Sequence, residues 1–208
     1  KMAYPVLIIG ESGSGKSTSL RNMNKDTTLI FQTIKKPLPF PKNKEYKTYC
    51  TDDYGKIKAG ISKIIHTEGN TIKDIIIDDS QYLMANEFMR RSKEKGFEKF
   101  TEIGEHFWDL INFINGIEQP VNFYFLSHSE DTESGKTKMK TIGKLLDDKI
   151  TVEGMFTVVI RSTLQDNQYL FRVKNNGFDT VKTPMGMFEG ETIENDLTIV
   201  KKAMEQYF

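Results

Sequence analysis

The chain is poor in the residues that build covalent or metal-held frameworks. Its 208 residues contain one cysteine, Cys50. A single thiol forms no intrachain disulfide and no thiolate cage. Net charge is absent too, since 29 lysines and arginines balance 29 aspartates and glutamates. That balance removes any global electrostatic case for nucleic acid or a membrane surface; such a partner would need a local patch. No apolar run approaches the length of a membrane span. The opening KMAYPVLIIG lacks the long apolar segment and small-residue cleavage site of a secretory leader. These absences predict a soluble, cytoplasmic protein without a membrane partner. There is also no internal repeat, low-complexity tract or linker. The length fits one domain over residues 1–208.

The chain does have short apolar runs separated by helical periodicity. Val6–Ile9 stops at Gly10 and reads as a buried strand, with a helix starting in GKSTSLRNM. Thr27–Ile34 predicts a second strand, ended by the prolines of KKPLPFP, and a short strand is expected around Tyr46–Cys50. Tyr54, Ile57, Ile61, Ile64 and Ile65 share one helical face, with Gly69 as a stop. IKDIIIDD is an apolar strand ending in acid. A helical pattern then runs from Gln81 to about Glu118 with a break at Gly96. VNFYFLSH is a third core strand, followed by a lysine-rich loop and a short helix near Leu145. MFTVVIRS and QYLFRVK form a hairpin across LQDN, and a last helix covers Leu197–Tyr207. Alternating strands and helices imply an α/β fold. Its central sheet is mostly parallel, flanked by helices and finished by an antiparallel C-terminal hairpin.

Gly10, Gly15, Lys16 and Ser17 fill the pattern G-x-x-x-x-G-K-[ST] between a predicted strand and a predicted helix. The residue types fit a triphosphate. Glycines let successive backbone N–H groups, from Gly10 through Glu11, Ser12, Gly13, Ser14, Gly15 and on to Thr18, curl around phosphate oxygens. Lys16 reaches the β- and γ-phosphates of ATP, and the Ser17 hydroxyl holds Mg²⁺. The helix start adds its positive end. In DIIIDDS the strand delivers Asp78 to the sheet edge as a partner for Mg²⁺. Asp79, one step beyond, is placed to orient the attacking water. Ser127 and His128 end the third core strand, where a polar group reads the γ-phosphate or merely caps the strand. Without a second histidine at ligand spacing, His128 is not a metal ligand. GKTKMKTIGK holds Lys136, Lys138, Lys140 and Lys144 and no acid. These lysines contact single-stranded DNA or a neighbouring subunit's nucleotide, or are a solvated loop.

With these motifs placed, the chain resembles a RecA-like P-loop ATPase. More narrowly it is similar to the small bacteriophage nucleotide-binding proteins, which include phage single-strand annealing ATPases. The resemblance rests on GESGSGKST, IIIDDSQYL, FLSHSEDTESGKTKMKTIGKLLDDK, EGMFTVVIRS and NNGFDTVKTPMGMFE, and covers nearly the whole chain. It implies ATP binding with Mg²⁺, assembly into rings or filaments, and work on DNA in recombination, repair or replication. If the chain is phage-encoded, that work is in the host cytoplasm. RecA-type enzymes often carry a catalytic glutamate after the second strand, but Leu29 to Pro41 contains no acid. Asp79 or Glu11 then takes that role, or hydrolysis is slow. Two other readings stay open. A nucleoside or nucleotide kinase shares the loop but usually needs an arginine-bearing lid, and only Arg21, Arg90, Arg91, Arg161 and Arg172 are present. A nucleotide-gated scaffold without useful hydrolysis needs no catalytic acid.

Overall fold

A computed structural model describes residues 4–208. The N-terminal stretch read for a leader begins at Lys1, and Lys1, Met2 and Ala3 lie outside the described residues. The first five strands run parallel: β1 (Val6–Gly10), β2 (Thr28–Gln32), β3 (Lys47–Cys50), β4 (Asp74–Asp78) and β5 (Asn122–Asp131). A short β6 (Thr137–Met139) turns back on β5. β7 (Val158–Gln165) pairs parallel with β1, whereas β8 (Gln168–Arg172) and β9 (Thr192–Glu194) finish the sheet antiparallel. The order across the sheet is β3-β2-β4-β5-β1-β7-β8-β9. This is the mostly parallel α/β sheet with an antiparallel C-terminal hairpin that the sequence pattern predicts.

The apolar runs of β1, β4 and β5 follow from burial on both faces. Leu7, Ile9, Ile75, Ile77, Phe123 and Phe125 point to one side. There they meet α1 (Tyr54–His66), α2 (Gln81–Arg90) and α3 (Glu98–Asn115) through Ile57, Ile61, Leu83, Ile103 and Phe107. Val6, Ile8, Ile76, Tyr124 and Leu126 point to the other. Leu20, Met23, Leu38, Phe40 and α4 (Leu197–Tyr207) cover them. Each large apolar side chain buried this way contributes about 1.5–3 kcal/mol. Gly96, at φ +91°, separates α2 from α3 where the sequence places the break. No helix among the described residues is long and apolar enough to cross a membrane.

Three local features differ from the sequence reading. The segment after the glycine loop, expected to start a helix, is a six-residue 3₁₀ helix, Ser17–Asn22. Serine and threonine side chains there compete for backbone groups; the Ser19 hydroxyl donates to the Lys16 carbonyl at 2.6 Å. So short a helix adds little dipole to the loop. Thr137–Met139, expected as loop, is a strand: Thr137 and Met139 are buried and Lys138 points outward, a period of two. The hairpin turn is tighter than expected. Asp166 and Asn167 alone form it, both at positive φ, as a two-residue connection requires.

Candidate functional site

The register brings the site together at the carboxyl ends of the parallel strands, where open α/β sheets bind ligands. Gly10 at the end of β1 lies opposite His128 of β5, and Gln32 of β2 lies opposite Asp78 of β4. The loop from Glu11 to Lys16 folds over this edge. Gly10 is obligatory for space, because a Cβ there would meet the Ser14 Oγ at 2.5 Å and the Ser162 carbonyl at 2.7 Å. The Ser162 hydroxyl fixes the loop from beneath by donating to the Ser14 carbonyl at 2.7 Å. Glu11, Ser12 and Gly13 are exposed, Thr18 is half-buried, and the Glu11 carboxylate enters no hydrogen bond or ion pair among the described residues.

Lys16 is buried and curled over the loop, donating to the carbonyls of Gly10 at 2.8 Å and Glu11 at 2.7 Å. Burial pushes its pKa down to about 8, against the pull of Asp79 and Asp78. The Ser17 hydroxyl donates to Asp78 Oδ1 at 2.8 Å. Burial, reinforced by the charge of Asp79, pushes the Asp78 carboxyl up to about 6. Its second oxygen, Oδ2, is buried without a hydrogen-bond partner. A half-satisfied buried carboxylate beside a hydroxyl and an ammonium is a donor set suited to a magnesium–phosphate pair. Among the described residues no group of three or more His, Cys, Asp or Glu side chains could hold a metal by itself. A cation here would complete its shell from phosphate and water, as Mg²⁺ commonly does.

Asp79 turns the chain sharply at the end of β4, with φ +55°, in the left-handed region that non-glycine residues seldom occupy. Its side chain is only 4% exposed and forms an ion pair with the Lys36 ammonium. His128 Nε2 lies 3.4 Å from its other oxygen. Burial works to raise the Asp79 carboxyl, but contacts with His128 and Lys36 outweigh it and hold the group below the usual range. Thr33 braces the turn, its hydroxyl donating to the Asp79 carbonyl at 2.8 Å.

Two expectations change, one at the end of β5 and one in the lysine-rich segment. Ser127 is fully buried and its hydroxyl is directed at Gln81 Oε1, 3.3 Å away, so it is not free to read a phosphate. The same Gln81 oxygen accepts the His128 N–H at 2.9 Å and so fixes the end of β5 against α2. Among the four lysines, Lys138 is neutralised between Glu130 at 2.9 Å and Asp147 at 2.8 Å. It is therefore not a free cation for DNA. Lys136, Lys140 and Lys144 are exposed and enter no ion pair among the described residues. The Lys140 N–H donates to the His128 carbonyl at 2.8 Å, tying the segment to the site.

Lys36 and Gln81 are the site residues that sequence reasoning missed. Gln81 stands within the quoted IIIDDSQYL, and Lys36 within the acid-free stretch after β2. Neither belongs to a motif with a mechanism attached.

A family model described as an AAA domain matches residues 2–187. The chain belongs to this AAA-domain family. It is thereby one of the P-loop ATPases, a class that binds and hydrolyses nucleotides, and the loop at Gly10–Ser17 is the feature that marks the class. A search of curated proteins finds no match. The AAA match ends before β9 and α4, yet both adjoin the loop's own helix. Arg21 Nη1 donates to the Asn195 carbonyl at 2.5 Å, and Asn22 Nδ2 to Asp196 at 2.6 Å.

Proposed function

We propose that this AAA domain binds ATP with Mg²⁺, hydrolyses it, and acts on single-stranded DNA as a homo-oligomer, in the manner of the bacteriophage RecA-like proteins its motifs resemble. One observation carries the nucleotide part: the bond between Ser17 and Asp78, with the free Asp78 oxygen beside the buried Lys16. Mg²⁺, when bound, would neutralise phosphate charge and polarise the phosphoryl oxygens. Ser17 and Asp78 would hold it. Lys16, released from its two carbonyls, would take the β- and γ-phosphates, and the amides of Gly13 to Thr18 would cradle the chain of phosphates. Asp79 would orient the water, with Glu11 too exposed for that task. The DNA part rests on the motif resemblance and on the exposed Lys136, Lys140 and Lys144. We treat residues 1–208 as one domain, because both flanking layers pack on one sheet.

Phosphate release with and without single-stranded DNA tests this reading. Turnover stimulated by DNA supports it, and transfer of phosphate to an added nucleoside would replace it by a kinase. Binding of ATP without release supports a nucleotide-gated scaffold. The ion pair of Asp79 with Lys36 favours that second reading in one respect, since a carboxylate engaged by a lysine is a poor guide for water.

A further inference from the structure

Lys36 sits on an arm that the fold holds in place. The Gln32 side chain donates to its carbonyl at 3.0 Å. Leu38 and Phe40, just beyond, are buried in the core, and Asn43 donates to the Leu38 carbonyl at 2.7 Å. Pro37 and Pro39 stiffen the stretch between these anchors. The side chain itself is 43% exposed, so only its ammonium end is committed, and it is committed to Asp79.

The charges of the site give that contact a use. Asp78 and Asp79 lie together beneath the phosphate loop, and Lys36 acts electrostatically on both and on Lys16. Three arginines are held elsewhere: Arg21 by Asn195 and Glu194, Arg90 by Asp52, and Arg91 by Glu87, Glu94 and Glu102. Arg161 adjoins the outer side of the loop, beside Glu11 to Ser14, away from Asp78 and Asp79, and it and Arg172 lie 4.0 Å from Asp179. Lys16, on the loop, and Lys36, on the opposite wall, both act electrostatically on Asp78 and Asp79. A triphosphate on the loop would bring several negative charges to a place where Asp78 and Asp79 already repel it. A lysine on a flexible stem can exchange one oxyanion for another with little reorganisation of the backbone.

We propose that Lys36 is a second phosphate-contacting lysine. In the nucleotide-free chain Asp79 holds it; when a triphosphate fills the loop, its ammonium moves to the terminal phosphate and leaves the Asp79 carboxylate to water. The exchange makes and breaks ion pairs only. A diphosphate, lacking the terminal group, leaves Lys36 on Asp79. The lysine therefore distinguishes triphosphate from diphosphate within one subunit, and withholds Asp79 until the triphosphate is present. This rests on the nucleotide reading above.

Calorimetric titration of the full chain with a non-hydrolysable ATP analogue and with ADP, both with Mg²⁺, tests it. Lys36→Ala should weaken the triphosphate analogue by about tenfold or more, the loss of one charge-assisted contact, and leave ADP within about twofold. Lys36→Arg should retain the preference. Asp79→Asn, which frees Lys36 in advance, should tighten the triphosphate while abolishing turnover. Equal losses for both nucleotides in Lys36→Ala would make Lys36 a brace of the loop and overturn the proposal. So would unchanged affinities for both. If the wild-type chain binds neither nucleotide, the reading of the site itself fails. If it prefers ATP and Lys36→Ala prefers it equally, only the assignment of Lys36 falls.

Discussion

Asp78 shows what the arrangement costs the protein when no nucleotide is bound. Its carboxyl has an ordinary value of 3.8 and is held at about 6 in the folded chain. A group whose folded value lies above its unfolded value binds its proton more tightly when folded. Its ionised form therefore burdens the fold above about pH 6, by up to about 3 kcal/mol, and the burden is relieved as pH falls from 6 towards 4. We expect Asp78→Asn, in chelator and without nucleotide, to melt at a higher temperature than wild type at pH 7.5. The gap should shrink towards pH 5. Differential scanning calorimetry at the two pH values checks this, and a lower melting temperature at pH 7.5 would contradict it. Gly10, Lys16, Ser17 and Asp78 were legible in the sequence because a strand, a tight loop and fixed spacing encode them locally. Lys36 was not, since its meeting with Asp79 depends on β2 lying beside β4. Lys138 misled for the same reason. Counting charge along GKTKMKTIGK omits Glu130 and Asp147, which the β5–β6 hairpin and the turn after it bring alongside.

Helices and strands differ in how openly the sequence declares them. α1 is announced by Asp53, whose side chain accepts the Lys56 N–H at 2.9 Å, and by an isoleucine stripe of helical period. β9 has three residues, too few to show any period, and forms because β8 offers an open edge. α4 is tied to the phosphate loop by its own cap. Asp196 accepts the Thr198 N–H at 2.9 Å and hydroxyl at 2.7 Å, and its other oxygen accepts from Asn22 of the 3₁₀ helix. Asp196→Ala removes a cap and a tether together. The expected loss is about 1–2 kcal/mol, seen as a lower urea midpoint with an unchanged slope. An unaltered midpoint would mean that Leu197, Val200 and Met204 alone hold the helix.

One of the polar contacts that fasten α4 to the sheet is buried. Asp74, fully buried at the start of β4, accepts from Lys201 of α4 at 2.5 Å and from Asn122 at 3.0 Å. Removing the lysine would strand a buried carboxylate, whereas removing both charges would not. We expect Lys201→Met to destabilise the chain by about 3 kcal/mol, and the double variant Asp74→Asn/Lys201→Met to recover most of that. Denaturant unfolding of the singles and the double checks it; a double variant as weak as Lys201→Met would refute the account. The place of β1 in the sheet has a further consequence, for synthesis. Val6 pairs with Tyr124 on one side and Val158 on the other. A ribosome thus releases this wholly apolar strand long before either neighbour exists. Until residue 158 has emerged, the segment VLII has no complete bed, and pairing so distant in sequence is slow to form. The nascent chain spends that interval exposing a sticky, β-branched segment. The middle of the sheet can therefore close around β1 only after most of the chain has been made.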